Sequence, residues 1–506
     1  MQKYPIGLQD FEKIREGQFL YIDKTQYIEE LLKRDGYYFL SRPRRFGKSL
    51  FINTLDSLFQ GKKELFEGLQ IANKWDFSKT NPVIKISFAA ISHKEKGLYK
   101  AINDRLNEIS KLNGLEIEED SISAKFKLLI EGLYAKFGHV VVLIDEYDKP
   151  IIDFLGEDTK QAIENRNIMK SFYSILKDSD AFLKLVFITG VSKFARVSIF
   201  SDLNNLQDIT IDYRFAGVCG ITQDELNNSF QEELKEFDKE KIKQWYNGYT
   251  WDLKTSVYNP FSILNFFVKK KFQNFWFESG TPTFLVNLCK KSHFYDFENV
   301  TTSLTYLNSY DIEKLQILPL MFQTGYLTFK NEEDDLYILD YPNQEVKKSY
   351  LEALANSYID KEGEQSVSIA VNIRNALREC NIDKFQSQIN SLFKSIPYTL
   401  WQKENEHFYH AILHLTFKLL GFYVESEVQT ADGRLDALVK VNQYIYCFEF
   451  KLDESAEFAL QQIKDKGYLE PYQNQGKECI AIGVNFSKEL KKVEGIKWEK
   501  LYSITN

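Results

Sequence analysis

The run His139-Val140-Val141-Val142-Leu143-Ile144 ends on two carboxylates, Asp145 and Glu146. Five successive apolar residues without polar alternation mark a strand covered on both faces, which occurs in parallel α/β sheets flanked by helices. Such sheets bind ligands beyond the carboxyl ends of their strands, so Asp145 and Glu146 stand where chemistry is expected. At 506 residues the chain exceeds what one core supports, and two to four domains are expected.

Upstream, Tyr37-Tyr38-Phe39-Leu40 runs into Ser41-Arg42-Pro43-Arg44-Arg45-Phe46-Gly47-Lys48-Ser49. A strand, a loop and Gly-Lys-Ser form the layout in which backbone N–H groups and a helix N-terminus cradle phosphate. Leu50, Phe51, Leu55, Leu58 and Phe59 recur at helical spacing, so the loop opens a helix. Lys48 is expected to meet the β- and γ-phosphates of ATP, and Ser49 to ligate Mg²⁺. Arg44, Arg45, Phe46 and Gly47 complete the loop. Arg42 stands where such a loop usually carries its first glycine, so the turn must close without left-handed backbone there. Asp145 is expected to hold Mg²⁺ through water, and Glu146 to polarise the attacking water. A third apolar run, Leu183-Lys184-Leu185-Val186-Phe187-Ile188, ends at Thr189-Gly190. Thr189 reads either as a sensor of the γ-phosphate or as a plain strand end.

A second chemical set lies near the C-terminus. Leu435–Val441 and Tyr444–Phe450 are strand-like runs flanking Asn442-Gln443. As a two-residue hairpin loop, Asn442-Gln443 pairs Val441 with Tyr444 and, counting outward, Asp436 with Glu449, Cβ atoms ~5 Å apart. Lys451 shares the face of Glu449, and Phe448 with Phe450 points to the other face. Opposed carboxylates repel unless a cation bridges them, and hard oxygen donors at that separation suit Mg²⁺ or Mn²⁺. Lys451 would then orient water or stabilise charge on a phosphate. A salt-bridged surface hairpin is the competing reading.

Composition narrows the remaining classes. No apolar run approaches the ~18 residues of a membrane span, and the Met1-Gln2-Lys3-Tyr4-Pro5 start lacks the apolar region of a signal peptide. Cys219, Cys289, Cys380, Cys447 and Cys479 are scattered, which suits reduced thiols in a cytoplasmic protein with no membrane partner. The net charge of −8 means that nucleic acid must be met by a local basic surface. One candidate is Phe266-Phe267-Val268-Lys269-Lys270-Lys271-Phe272, through stacking and phosphate pairing. The same run also reads as a helix end with lysines at the negative dipole.

Several of these strings together resemble the bacterial and archaeal AAA-ATPase-like family: Tyr21-Ile22-Asp23-Lys24-Thr25, the loop Arg42–Ser49, Ile144-Asp145-Glu146-Tyr147-Asp148, and Ile188–Phe194 running on to Ser201–Leu206. That family commonly carries a C-terminal PD-(D/E)XK nuclease. The resemblance implies an α/β protein with four parts. These are an AAA-like P-loop ATPase core with a parallel sheet (1–214), a helical lid and winged-helix-like region (215–345), a helical spacer (346–395) and a restriction-endonuclease-like domain (396–506). Trp245–Tyr249, Tyr258–Phe261 and Trp276–Gly280 match the lid, and Leu318–Thr328 with Leu336–Leu339 suggests its β-hairpin unit. The resemblance also places Asp23-Lys24-Thr25 beside the nucleotide base, Glu406 as a helix-borne acid of the nuclease site, and Gln462 as the residue ordering water or the scissile phosphate. Lys193 and Arg196 read as facing phosphate or a neighbouring copy in a homo-oligomer, or as plain surface cations. The expected activity is ATP-gated, Mg²⁺-dependent cleavage of nucleic acid, with DNA the expected substrate. The alternative is a nucleotide-dependent switch or scaffold that binds nucleic acid without cutting.

Overall fold

The computed structural model describes residues 2–33, 36–193, 199–200, 203–276, 283–292, 297–308, 314–357, 365–396, 406–421, 425–428 and 437–502. They fall into two compact units, Met1–Gly280 with Phe297–Val346, and Thr281–Asp296 with Lys347–Asn506. Among the described residues no helix is long and apolar enough to cross a membrane.

The first unit is built on strands β1 (Gly36–Ser41), β2 (Val83–Ser87), β3 (Val140–Asp145), β4 (Leu183–Gly190) and β5 (Leu206–Asp208), in the order β2-β3-β4-β1-β5. All four pairings are parallel. Every residue of β3 is buried, which explains its unbroken apolar sequence. Because β4 lies between β1 and β3, the phosphate loop, Thr189 and Asp145 emerge from three adjacent strand ends. The helix Lys48–Phe59 follows the loop and buries Phe51, Ile52, Leu55, Leu58 and Phe59.

Residues beyond Phe215 form an aromatic core of their own around Phe230, Ile242, Tyr246, Tyr258, Phe266 and Phe267, with Tyr4, Ile6, Leu20 and Ile22 from the N-terminus packed against it. The N-terminal segment and the residues beyond Phe215 thereby share one core. A β-hairpin is present, with Thr328–Glu333 antiparallel to Leu336–Asp340, but its first strand begins only at Thr328; most of Leu318–Thr328, read as part of that unit, is instead the helix Ile317–Thr324. The hairpin's turn residues Asp334 and Asp335 adopt φ of 50° and 63°, a conformation that aspartate tolerates better than most residues. The proposed aromatic-basic nucleic-acid surface is not there. Phe266 and Phe267 are buried on the helix Pro260–Lys269 and have no face to offer a base. Lys270 caps that helix and pairs with Glu236, as a cation at a helix C-terminus does.

The second unit carries a five-stranded sheet in the order β6-β7-β8-β9-β10, formed by β6 (Glu425–Val428), β7 (Ala437–Val441), β8 (Tyr444–Leu452), β9 (Glu478–Ser487) and β10 (Lys492–Tyr502). The β8/β9 pair is parallel and the others are antiparallel. Asn442 takes φ 51° and Val441 pairs with Tyr444, Leu438 with Cys447 and Ala437 with Phe448. This is the register expected from a two-residue loop; Asp436 itself lies outside the described residues. Phe448 and Phe450 face the helix Glu406–Leu420 through Phe417, and Phe385 and Phe393 of the helix Ile382–Lys394 add to that layer. The helices Gln365–Arg378 and Ile382–Lys394 lie directly on the sheet. Tyr446 donates to the Leu377 carbonyl at 2.7 Å, and Asn390 bonds Val493 at 2.7 Å. The apolar positions Ile369, Ile373, Ala376 and Leu377 are buried and form the stripe that makes this packing favourable.

Candidate functional site

The phosphate loop takes its shape from two left-handed positions, Arg45 at φ 66° and Gly47 at φ 99°. Position 42 closes without one, as the missing glycine requires. Lys48 is buried and its ammonium donates to the carbonyls of Arg42 (2.9 Å) and Pro43 (3.0 Å). The outer side of the loop is held by distant residues. Asn259 and the Trp276 indole donate to the Arg44 carbonyl at 3.5 and 3.2 Å, and Gly220 donates its N–H to the Phe46 carbonyl at 2.9 Å. The Arg45 guanidinium lies 3.9 Å from the centre of the Phe261 ring. A Cβ on Gly325, which ends the helix Ile317–Thr324, would stand 2.6 Å from Pro43.

These groups border a cavity of about 470 Å³ lined by Arg44, Arg45, Phe46, Gly47, Lys48, Ser49 and Glu146 on its polar side. The opposite wall is largely apolar, from Pro5, Leu8, Leu20, Ile22, Val218, Ile221, Phe261 and Leu264. A helix N-terminus with free backbone N–H groups at one end and an apolar wall at the other suits a ligand that is polyanionic at one end and flat and apolar at the other. Glu146 is half-buried at φ 52°, an uncommon conformation for a residue other than glycine and one that clusters at active sites. Burial pushes its carboxyl up, the Lys48 charge opposes this, and Asp145 adds to it. That direction favours a general base working near neutral pH.

Asp145 and Thr189 stand behind Glu146 and are joined to each other: the buried Thr189 hydroxyl donates to Asp145 Oδ1 at 2.6 Å. Thr189 therefore orients a carboxylate, and neither residue lines the cavity. Asp148, which the sequence reading left without a role, does line it. It is buried and accepts the N–H of Val191 and Ser192 and the Ser192 hydroxyl, the last at 2.6 Å. The main chain passes closely here, since a Cβ on Gly190 would fall 2.4 Å from the Tyr147 ring. Lys24 lines the cavity while its ammonium binds the Gly217 carbonyl and Glu225, each at 2.7 Å. Asp23 turns elsewhere, to the N–H groups of Thr25 and Gln70. Lys193 is not a surface cation, being buried and paired with Asp208 at 2.9 Å. Arg196 lies outside the described residues.

On the second unit, Glu449 is buried, and its Oε1 accepts from Lys451 at 3.2 Å and from Gln462. Gln462 sits on the helix Ala456–Asp465, which covers the face opposite Phe448 and Phe450 through Ile463 packed with Ile445 and Cys447. Gly483, the β9 partner of Glu449, makes this approach possible: a Cβ there would lie 2.2 Å from the Ala456 carbonyl oxygen and 2.5 Å from the Leu460 nitrogen. An isolated glycine inside a strand pattern signals such a contact, and Ile480-Ala481-Ile482-Gly483-Val484 carries it. Gly483→Ala is expected to lift the helix, lower stability by ~1–3 kcal/mol and loosen Gln462 from Glu449. An unchanged melting temperature would contradict the packing. Glu406 is the first residue of the helix Glu406–Leu420, and its side chain is outside those described.

The parallel sheet with its phosphate loop defines a P-loop NTPase fold, and the second sheet, with Glu449 and Lys451 alternating along one strand, defines a PD-(D/E)XK fold. Residues 5–200 match the family described as "Predicted AAA-ATPase", and residues 404–495 match the PD-(D/E)XK nuclease superfamily. The chain is 40% identical over 516 residues, 99% of this chain and 99% of the relative, to the "Uncharacterized protein in vnfD 5'region" of Azotobacter chroococcum mcd 1. The chain belongs to the AAA-ATPase-like family and carries a PD-(D/E)XK nuclease domain at its C-terminal end.

Proposed function

We propose that the chain binds and hydrolyses ATP in the first unit and uses that cycle to gate Mg²⁺-dependent cleavage of nucleic acid, DNA in particular, by the second. The observation that carries this reading is the presence of two chemical sets in one chain. Lys48, Ser49 and Glu146 border one cavity, and the buried Glu449 accepts hydrogen bonds from Lys451 on its own strand and from Gln462 on the covering helix. In the nucleotide site Lys48 would meet the β- and γ-phosphates, Ser49 would ligate the metal, Asp145 would hold it through water from behind the cavity wall, and Thr189 fixes the Asp145 carboxylate. Glu146 takes the proton of the attacking water. Mg²⁺, when bound there, neutralises charge growing between the β- and γ-phosphates. In the nuclease site Glu449 and Asp436 supply hard oxygen donors, which suit Mg²⁺ or Mn²⁺. The metal, when bound, polarises the phosphodiester and lowers the pKa of a water. Lys451 stabilises the charge developing on phosphate, Gln462 fixes the Glu449 carboxylate, and Glu406 adds an acid from its helix.

The test is a panel of linear and circular DNA and of RNA incubated with the whole chain, with Mg²⁺ or EDTA. Metal-dependent cutting of DNA is the expected result. Binding without cutting on every substrate would replace the nuclease with the scaffold alternative.

A further inference from the structure

Arg42 is fully buried and occupies the position of the missing loop glycine. Its guanidinium donates to three main-chain carbonyls, those of Ser41 (2.9 Å), Thr210 (2.7 Å) and Phe215 (3.2 Å). It stacks 3.9 Å from the centre of the Trp251 ring, and its Nε is buried without a hydrogen-bond acceptor. No carboxylate among the described residues forms a direct ion pair with it, and Asp208 and Asp252 act on it only from farther away. Burial lowers the group to about 10, so it carries its charge at neutral pH.

Burying a charge without a paired counter-ion is costly, and such charges persist where something else compensates them. The carbonyl dipoles and the indole face compensate in part. Two features tie the rest to the cavity. The Arg42 carbonyl is one of the two acceptors that hold the Lys48 ammonium. The guanidinium also acts electrostatically on Cys219, which lines the cavity, together with Lys48 and Lys24. Arg42 therefore stands beneath the phosphate loop as a fixed positive charge shielded from water and salt. A loop with glycine at this position has no such charge.

We propose that Arg42 is a positioning residue of the nucleotide site whose buried charge, acting through the loop without touching the ligand, favours polyphosphate in proportion to its negative charge. This rests on the nucleotide reading of the cavity.

R42Q keeps a donor for the carbonyls and removes the charge, while R42K keeps the charge and removes the planar fork. Affinities of the full chain for adenosine, ADP and ATP, measured by calorimetry beside apo melting curves, separate the two roles. In R42Q, ATP is expected to bind roughly tenfold or more weakly, the size of a unit-charge interaction at an effective dielectric near 20. ADP should lose less and adenosine nothing, while R42K stays within roughly threefold of wild type for all three. An R42Q variant that folds and weakens adenosine, ADP and ATP alike, or weakens none, overturns the proposal. If R42Q does not fold, R42K decides alone: a tenfold loss of ATP affinity at a native melting temperature overturns it, and retained affinity supports it. Wild-type protein that binds none of the three removes the nucleotide reading itself, a result distinct from either.

Discussion

Replacing Lys48 with alanine is expected to weaken ATP binding by roughly 10²-fold or more, the usual cost of removing one side of a buried charged contact. Lys48 is a buried cation of the cavity's polar side, held at the loop by the Arg42 and Pro43 carbonyls. Glu146→Gln should behave differently. The side chain keeps its size in the half-buried pocket and loses only its basicity, so ATP should still bind while hydrolysis falls by roughly 10²-fold or more. Calorimetry giving unchanged ATP affinity for the Lys48 variant would show that the loop is not a phosphate cradle.

The second large effect belongs to the nuclease face. Glu449→Ala and Lys451→Ala are each expected to reduce Mg²⁺-dependent cleavage by roughly 10²- to 10³-fold or more and to leave ATP turnover nearly intact. Glu449 is buried among polar partners, Lys451 and Gln462. Its loss leaves Lys451 without its carboxylate and, on the proposed reading, removes a metal donor. Asp436→Ala should match the Glu449 variant, because the hairpin register that led to their pairing is the one observed from Ala437 to Val441. Cleavage persisting in both carboxylate variants would make this hairpin structural.

Local signals in the sequence carried the parts of both sites that local geometry determines. A strand buried on both faces, a Gly-Lys-Ser helix start and a two-residue hairpin loop are each decided within about ten residues, so β3, the helix Lys48–Phe59 and the β7/β8 register could be read directly. What escaped was set by contacts between distant positions. Nothing near Arg44 announces that Asn259 and Trp276 will bind its carbonyl. Pro5, Leu8 and Leu20 give no sign in sequence of lining the same cavity as Phe261. The left-handed backbone of Glu146 follows from the turn around it, not from glutamate. The run Phe266–Phe272 misled for the converse reason: its aromatic-basic composition suits stacking on bases, yet the core around Phe230 and Tyr246 needed those rings.

Control of cleavage at one site by ATP at the other is the behaviour expected of the chain. It is tested most directly by the rate of Mg²⁺-dependent cleavage with and without ATP, in wild type and in Lys48→Ala. The rate should change with ATP in wild type and be indifferent to it in the variant. Identical wild-type rates in the presence and absence of ATP would contradict it.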